Sequence, residues 1–291
     1  MDRKSIRLAT VGGLGDVLLS TPVYRTLKKI HGNSRIKVYC RNRTEIQLLN
    51  GNPYIDKLWT VPFHKALYCF IHYYLRLKGY HNLHYGINPS LFPGKNASDS
   101  IAEILGLNQE DNKLEIYLTK KEEAKAKARL SPYRNPIIIH GCGVSSDNKN
   151  WSVQRWEQLI REMPDYTFIQ LGLSKEARLT GAIDFRGKTT IRESIALIKY
   201  GLSFIGVDSS LSHATNAFDV AGVVLFGPST PVVWGHSNNI NLYKATRCSP
   251  CIDLLKNSRC PYGKECMQNI EVLDVKAAVL AQIYKKKSTL P

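Results

Sequence analysis

Short apolar, β-branched runs alternate with amphipathic stretches along most of the chain. The runs at 6–11, 35–40 and 57–61 read as buried strands. Between them, 16–30 carries Val17, Leu18, Val23, Leu27 and Ile30 on one stripe at helical spacing, and 44–49 reads as a shorter helix. An aromatic-rich helix is expected at 66–77, a strand at 85–88, and a helix at 98–105 that closes at Gly106. The Lys- and Ala-rich segment 122–130 then runs into Ser131-Pro132-Tyr133-Arg134-Asn135-Pro136, a proline-bracketed stretch of the kind that separates domains. Strand-like runs resume at 137–140, 167–171, 203–207 and 223–226, with helices at 153–162, 191–199 and 211–218 between them. A last helix at 275–284 leads into Lys285-Lys286-Lys287. Such alternation predicts an α/β fold of parallel, doubly wound sheets in two Rossmann-like halves. The expected division is 1–130, 137–273 and a C-terminal helix with a basic tail at 274–291. Ligands of such sheets bind beyond the carboxyl ends of the strands, so a cleft between the halves is the expected site.

Composition changes this picture little. The chain has 291 residues, 43% hydrophobic and 22% charged, an ordinary globular balance that excludes disorder and fibrous repeats. The longest apolar run, near 220–226, suits a buried strand and is far too short to span a bilayer. The N-terminal segment is broken by Gly12, Gly13, Gly15 and Asp16, which makes a poor signal peptide, and a cytoplasmic protein is expected. Charge is more telling. The formal net charge is +16, and residues 1–95 hold 15 Lys and Arg against four acids, Asp2, Asp16, Glu45 and Asp56. An excess segregated in this way favours an anionic partner: a phosphorylated glycolipid, a membrane surface touched peripherally, or nucleic acid. The plainer alternative is a generally lysine-rich solvated surface. The stretch 63–85 holds four of the eight histidines, five tyrosines and no acid, and suits either a sugar- or lipid-contacting face or a helix buried against the sheet.

The candidate chemistry sits where strands turn into helices. Gly12-Gly13-Leu14-Gly15-Asp16 follows the first strand, and its glycines let the backbone approach a ligand. It is not a dinucleotide fingerprint, because the third glycine is replaced by Leu18 and the second strand ends in Arg41-Asn42-Arg43 with no acid for a ribose. Asp16, at a helix start, is either a base kept ionised by the helix dipole or simply an N-terminal charge. In the second half Lys149 stands before a helix, where it can neutralise a phosphate. Asp208-Ser209-Ser210-Leu211-Ser212-His213 joins strand to helix through hydroxyl residues whose N–H groups suit an anion. Asp208 also reads as a capping residue and His213 as a core histidine. Phe226-Gly227-Pro228-Ser229-Thr230-Pro231 makes a further hydroxyl-bearing turn at the same edge.

Taken in order, 12–22 (GGLGDVLLSTP), 51–56 (GNPYID), 149–151 (KNW), 208–213 and 225–231 resemble the successive motifs of glycosyltransferase family 9, the heptosyltransferases of the lipopolysaccharide inner core. The resemblance runs from residue 6 to about residue 279. It implies a GT-B fold and an inverting transfer that needs no catalytic cofactor. The implied donor is a nucleotide-diphospho-sugar, ADP-heptose in the family, and the implied acceptor an anionic glycan or glycolipid at the inner membrane. Carried over position by position, Asp16 matches the proposed base and Lys149 the lysine on the donor diphosphate. Asp208, Ser209, Leu211, Ser212, His213 and Gly227 match the donor-binding loops, Gly12, Gly13 and Gly15 the acceptor-side loop, and Glu176 an acid contacting the donor. Ser209-Ser210 departs from the family's usual Thr-Gly or Ser-Gly, which narrows the expected pocket. The chain is also short, which leaves the acceptor open. A transferase acting on another polyanion such as modified phage DNA, and a non-catalytic nucleotide- or nucleic-acid-binding relative, stand as alternatives.

Cys248, Cys251, Cys260 and Cys266 crowd together as C-x2-C-x8-C-x5-C, apart from the scattered Cys40, Cys69 and Cys142. Thiols so spaced in a cytosolic chain suit a structural zinc or iron, or else four ordinary buried thiols.

Overall fold

The computed structural model describes residues 5–10, 12–60, 81–82, 94–252 and 258–288. It divides into two compact units, Met1–Tyr117 and Leu118–Pro291. The division falls ahead of the 131–136 stretch. The reason lies in the helix α5 described below, which is tied by ion pairs into the second unit.

In the first unit β1 (Ser5–Ala9), β2 (Arg35–Cys40), β3 (Lys57–Thr60) and β4 (His81–Asn82) form an all-parallel sheet in the order β3-β2-β1-β4. The expected single helix over 16–30 is two: α1 (Leu14–Leu19) and α2 (Thr21–His31). The break has a local cause. The hydroxyls of Ser20 and Thr21 donate back to the carbonyls of Val17 and Leu18, both at 2.7 Å, and Pro22 has no N–H to continue the ladder. α3 (Arg43–Leu49) starts at Asn42, whose side chain accepts the Glu45 N–H, and α4 (Ala97–Ile104) starts at Asn96 in the same way. The helix expected at 66–77, the strand at 85–88, the rest of the aromatic stretch beyond residues 81–82, and Cys69 lie outside the described residues.

The second unit opens with α5 (Lys120–Leu130), started by a Thr119–Glu122 capping box. Its Glu122 and Glu123 pair with Arg192 and Lys199, and its Lys125 with Glu193. The sheet is all-parallel in the order β10-β9-β8-β5-β6-β7: β5 (Pro136–His140), β6 (Thr167–Gln170), β7 (Ile183–Asp184), β8 (Ser203–Val207), β9 (Gly222–Phe226) and β10 (Asn239–Tyr243). β8 and β9 are buried throughout, which matches their continuous apolar runs. Crossovers are made by α6 (Val153–Arg161), α7 (Ile191–Tyr200) and α8 (Ser210–Ala217). The short α9 (Pro231–Trp234) and α10 (Glu265–Gln268) precede the final α11 (Val272–Ser288). Trp156, Phe168, Val223, Leu225 and Val279 are central to its core. β7 and β10 were not anticipated; β7 has two residues, and β10 is a half-buried edge strand with asparagines in its pattern. No helix among the described residues is long and apolar enough to cross a membrane.

Candidate functional site

All the predicted donor residues of the second unit lie on connections that leave the carboxyl ends of β5, β6, β8 and β9. Lys149 is carried by a 3-10 turn, Asp147–Lys149, in the β5–α6 loop. Its ammonium donates to Asp208 Oδ2 at 2.6 Å, and the Ser229 hydroxyl donates to the same oxygen at 2.7 Å. Burial alone would raise the Asp208 carboxyl. The Lys149 and His213 charges, with the two hydrogen bonds, outweigh it and hold the group below the ordinary carboxylate range. The loops after β5, β8 and β9 therefore meet at one buried carboxylate.

Ser209 lies at the N-terminus of α8, where its N–H donates to Ser212 Oγ (3.2 Å) and the Ser212 hydroxyl donates to the Ser209 carbonyl (2.7 Å). Ser209 Oγ also lies 3.0 Å from Nδ1 of His140, the last residue of β5. Leu211 is buried, and so is His213, whose Nδ1 is 2.8 Å from Nε2 of His236. Gly227 is at the right edge, but its missing side chain makes room for a neighbour: a Cβ there would sit 2.4 Å from Met267 Sδ.

Glu176 closes the set from the β6 side. One carboxylate oxygen accepts the Leu173 N–H at 2.9 Å, while Oε2 is buried with no hydrogen-bond partner and lies 3.7 Å from His140 Nε2. Gly172 permits this fold-back. Its φ is +138°, and a Cβ would fall 2.1 Å from Glu176 Oε2. Beside it is a cavity of about 320 Å³ lined by Gly141, Cys142, Trp156, Gln170, Lys175 and Glu176 among others. The indole Nε1 of Trp156, a second lining residue, is also buried without a partner. The tryptophan of the 149–151 motif, Trp151, is structural: its N–H donates to the Ile270 carbonyl at 3.0 Å and its ring packs edge-on against Trp156.

In the first unit, Gly12 (φ +89°) and Gly13 lie in the turn between β1 and α1, Gly13 as the residue that starts the helix, and Gly15 is in the first turn of α1. Asp16, in the first turn of α1, is half-buried and its Oδ2 accepts the Gly13 N–H. The capping geometry expected of it is present, and the side chain is accessible.

The four clustered cysteines are free thiols. Burial, then Cys248, Cys266 and Cys260, push the Cys251 thiol up to about 11, so the other three are near enough to act on it. The donor atoms are right for a soft metal, although among the described residues no three His, Cys, Asp or Glu side chains are grouped closely enough to hold an ion. The segment does brace the site. The N–H groups of Cys251 and Ile252 both donate to the Pro228 carbonyl (2.8 and 2.9 Å), one residue before Ser229. The Asn148 side chain, next to Lys149, donates to the Ser258 carbonyl (2.9 Å) and accepts the Cys260 N–H (3.2 Å).

A charged pair at a helix N-terminus, an acid lining a cavity with one oxygen lacking a hydrogen bond, and hydroxyl turns at one sheet edge suit a phosphorylated, polyhydroxylated ligand. The family model of glycosyltransferase family 9 (heptosyltransferase) matches residues 97–260. The chain belongs to glycosyltransferase family 9. It is thus a glycosyltransferase, heptosyltransferase-like. No curated protein matches its sequence. Among solved structures, the family 9 glycosyltransferase from Veillonella parvula is 20% identical with a TM-score of 0.74, over 98% of both chains. The E. coli ADP-heptose lipopolysaccharide heptosyltransferase II is 13% identical with a TM-score of 0.68, over 97% of this chain and 99% of that one. TibC, an iron-containing dodecameric heptosyltransferase from enterotoxigenic E. coli solved with ADP-D-beta-D-heptose, is 19% identical with a TM-score of 0.73, over 98% of this chain and 77% of that one. These likenesses establish the α/β, GT-B type of fold expected from the sequence.

Sequence reasoning missed His140, Trp156 and His236. His140 had a readable signal, a polar residue ending the apolar run Ile137-Ile138-Ile139. His236 had none, since its partner is 23 residues away.

Proposed function

We propose that this family 9 enzyme transfers a sugar from a nucleotide-diphospho-sugar to a hydroxyl of an anionic glycan such as lipopolysaccharide core. In this reading it works in the cytoplasm, peripherally on the inner membrane, with inversion at the anomeric carbon. The observation that carries the donor assignment is Glu176, which lines the cavity and keeps one buried carboxylate oxygen without a hydrogen-bond partner, with the Lys149–Asp208 pair on other loops of the same sheet edge. A carboxylate oxygen so placed accepts hydrogen bonds from a ligand's hydroxyls, which a ribose supplies. The diphosphate then falls to Lys149 and the first turn of α8, where an ammonium and helix N–H groups stabilise the charge of the leaving group. That role needs no catalytic metal, because protein groups already meet the charge. Asp16 takes the proton of the acceptor hydroxyl, which attacks the sugar on the face opposite the departing diphosphate. The likeness to enzymes described with ADP-heptose makes that the donor of choice.

The first test is thermal unfolding of the purified protein with ADP, UDP, GDP, TDP and CDP, since a ligand of the folded state raises the midpoint by mass action. An ADP shift that is lost in Glu176→Gln supports the assignment; no shift with any diphosphate overturns it. Asp16→Asn should keep the ADP shift and lose turnover, and unchanged turnover removes Asp16 as the base. A structural zinc or iron at Cys248, Cys251, Cys260 and Cys266 is the remaining proposal, supported by the spacing and donor type. Elemental analysis checks it: about one ion per chain is expected, lost in Cys251→Ser, and a metal-free chain refutes it.

A further inference from the structure

His140, the last residue of β5, belongs to none of the segments that carry the family resemblance. It is buried, 5% exposed, and each ring nitrogen faces a protein group. Nδ1 lies 3.0 Å from Ser209 Oγ on one side, and Nε2 lies 3.7 Å from Glu176 Oε2 on the other. The backbone fixes the ring between them. His140 is in register with Gly206 of β8, where a Cβ would stand 2.7 Å from the His140 carbonyl oxygen. Glu176 is held nearly everywhere else. Its carbonyl accepts from Arg186, a guanidinium itself engaged by both oxygens of Asp184 at 2.8 and 3.1 Å. Its Oε1 accepts the Leu173 N–H at 2.9 Å. That leaves Oε2, which no hydrogen bond reaches.

We propose that His140 is a positioning residue for the donor, its Nε2–H steering Glu176 Oε2 by electrostatic attraction while leaving that oxygen open to a ribose hydroxyl. The inference rests on the donor reading of Glu176 given above. Between buried groups 3.7 Å apart the attraction is little screened, yet the gap is too long for a hydrogen bond, so the imidazole orients the oxygen without consuming it. The neighbours alone decide where the ring hydrogen sits. An ionised carboxylate only accepts, so a bare Nε2 would set lone pair against lone pair. A hydroxyl can donate, so Ser209 serves an Nδ1 that carries no hydrogen. One ring thereby ties Ser209, the cap of α8, to the acid after β6. His140 itself touches no substrate.

The first measurement is a long-range proton–nitrogen correlation spectrum of the histidine side chains in the native, ligand-free protein, assigned with His140→Gln. A hydrogen on Nε2 of His140 is expected; an Nδ1–H tautomer with Nε2 bare overturns the proposal before any ligand is added. The second is isothermal titration with ADP and with 2′,3′-dideoxy-ADP, which lacks the ribose hydroxyls. The native chain should prefer ADP by about tenfold. The amide of His140→Asn can still meet Ser209 but falls short of Glu176, so the preference should shrink to less than about threefold with dideoxy-ADP affinity within about twofold of native. His140→Gln, whose amide nitrogen reaches the place of Nε2, should restore most of the preference. A native-like preference in His140→Asn, or an equal weakening of both nucleotides, overturns the proposal. A native chain that binds no ADP overturns the donor reading and this role with it. One that binds both nucleotides alike does the same for the ribose contact, so neither result is confused with a failure of His140 itself.

Discussion

Gly172 and Glu176 are the pair on which the proposed donor cavity turns. Gly172→Ala adds a methyl where the φ of +138° already disfavours it and where the Glu176 carboxylate lies. We expect a loss of about 1–3 kcal/mol in stability and a weaker ADP response than in the native chain, measured together by thermal unfolding with and without ligand. Asp208 makes a second prediction. Its carboxyl is held below the ordinary range, so its stabilising contribution is complete above the unfolded value of about 4 and lost as pH falls through the lower folded value. Denaturant unfolding at pH 7, 4 and 3 should show this acid loss in the native chain and a flatter profile in Asp208→Asn. That variant leaves a largely buried ammonium unpaired and should cost roughly 3 kcal/mol at pH 7. Much of this site was legible before any fold was known, because Lys149 and Asp208 to His213 sit on strand-to-helix turns that pattern alone locates. The contacts of His140 and His236 were not, since they join residues 69 and 23 positions apart.

Elements were read better than their ends. Strands β1, β2, β3, β5, β6, β8 and β9 fall where apolar runs placed them; β8 and β9 are buried and apolar throughout, whereas β3 has no fully buried residue and reads as a strand from its β-branched and aromatic residues alone. The break at Ser20 is signalled by Ser20-Thr21-Pro22, a signal that the longer apolar stripe over 16–30 masks. α5 is the instructive case. Its sequence, alternating Lys, Glu and Ala, gives no hint of which unit it serves; the ion pairs to α7 and the burial of Ala126 and Leu130 decide it. The Glu122 carboxyl is pulled down to about 2, first by its hydrogen bonds from Arg192. A fragment of residues 118–291 should therefore unfold cooperatively. One beginning at 131 should melt at lower temperature or without a sharp transition, and equal melting curves would show α5 to be dispensable.

For the molecule as a whole, charge is the property that sequence delivers most directly. With +16 overall and the excess in the first third, binding to anionic glycolipid micelles should weaken steeply as salt rises from about 0.05 to 0.5 M; binding indifferent to salt would dissociate the basic surface from the acceptor. Fold and family were likewise within reach of pattern and motif. The cysteine segment was not, for its spacing suggested a metal staple and gave no sign that its backbone clasps the Lys149 and Ser229 loops. That clasp has a bearing on how the protein ages. Protonated thiols oxidise slowly at neutral pH and faster as alkali ionises them. A preparation stored without reductant, above all at high pH, should then lose nucleotide recognition while most of its secondary structure survives, and its shelf life would be governed by a stretch of chain outside the proposed donor residues.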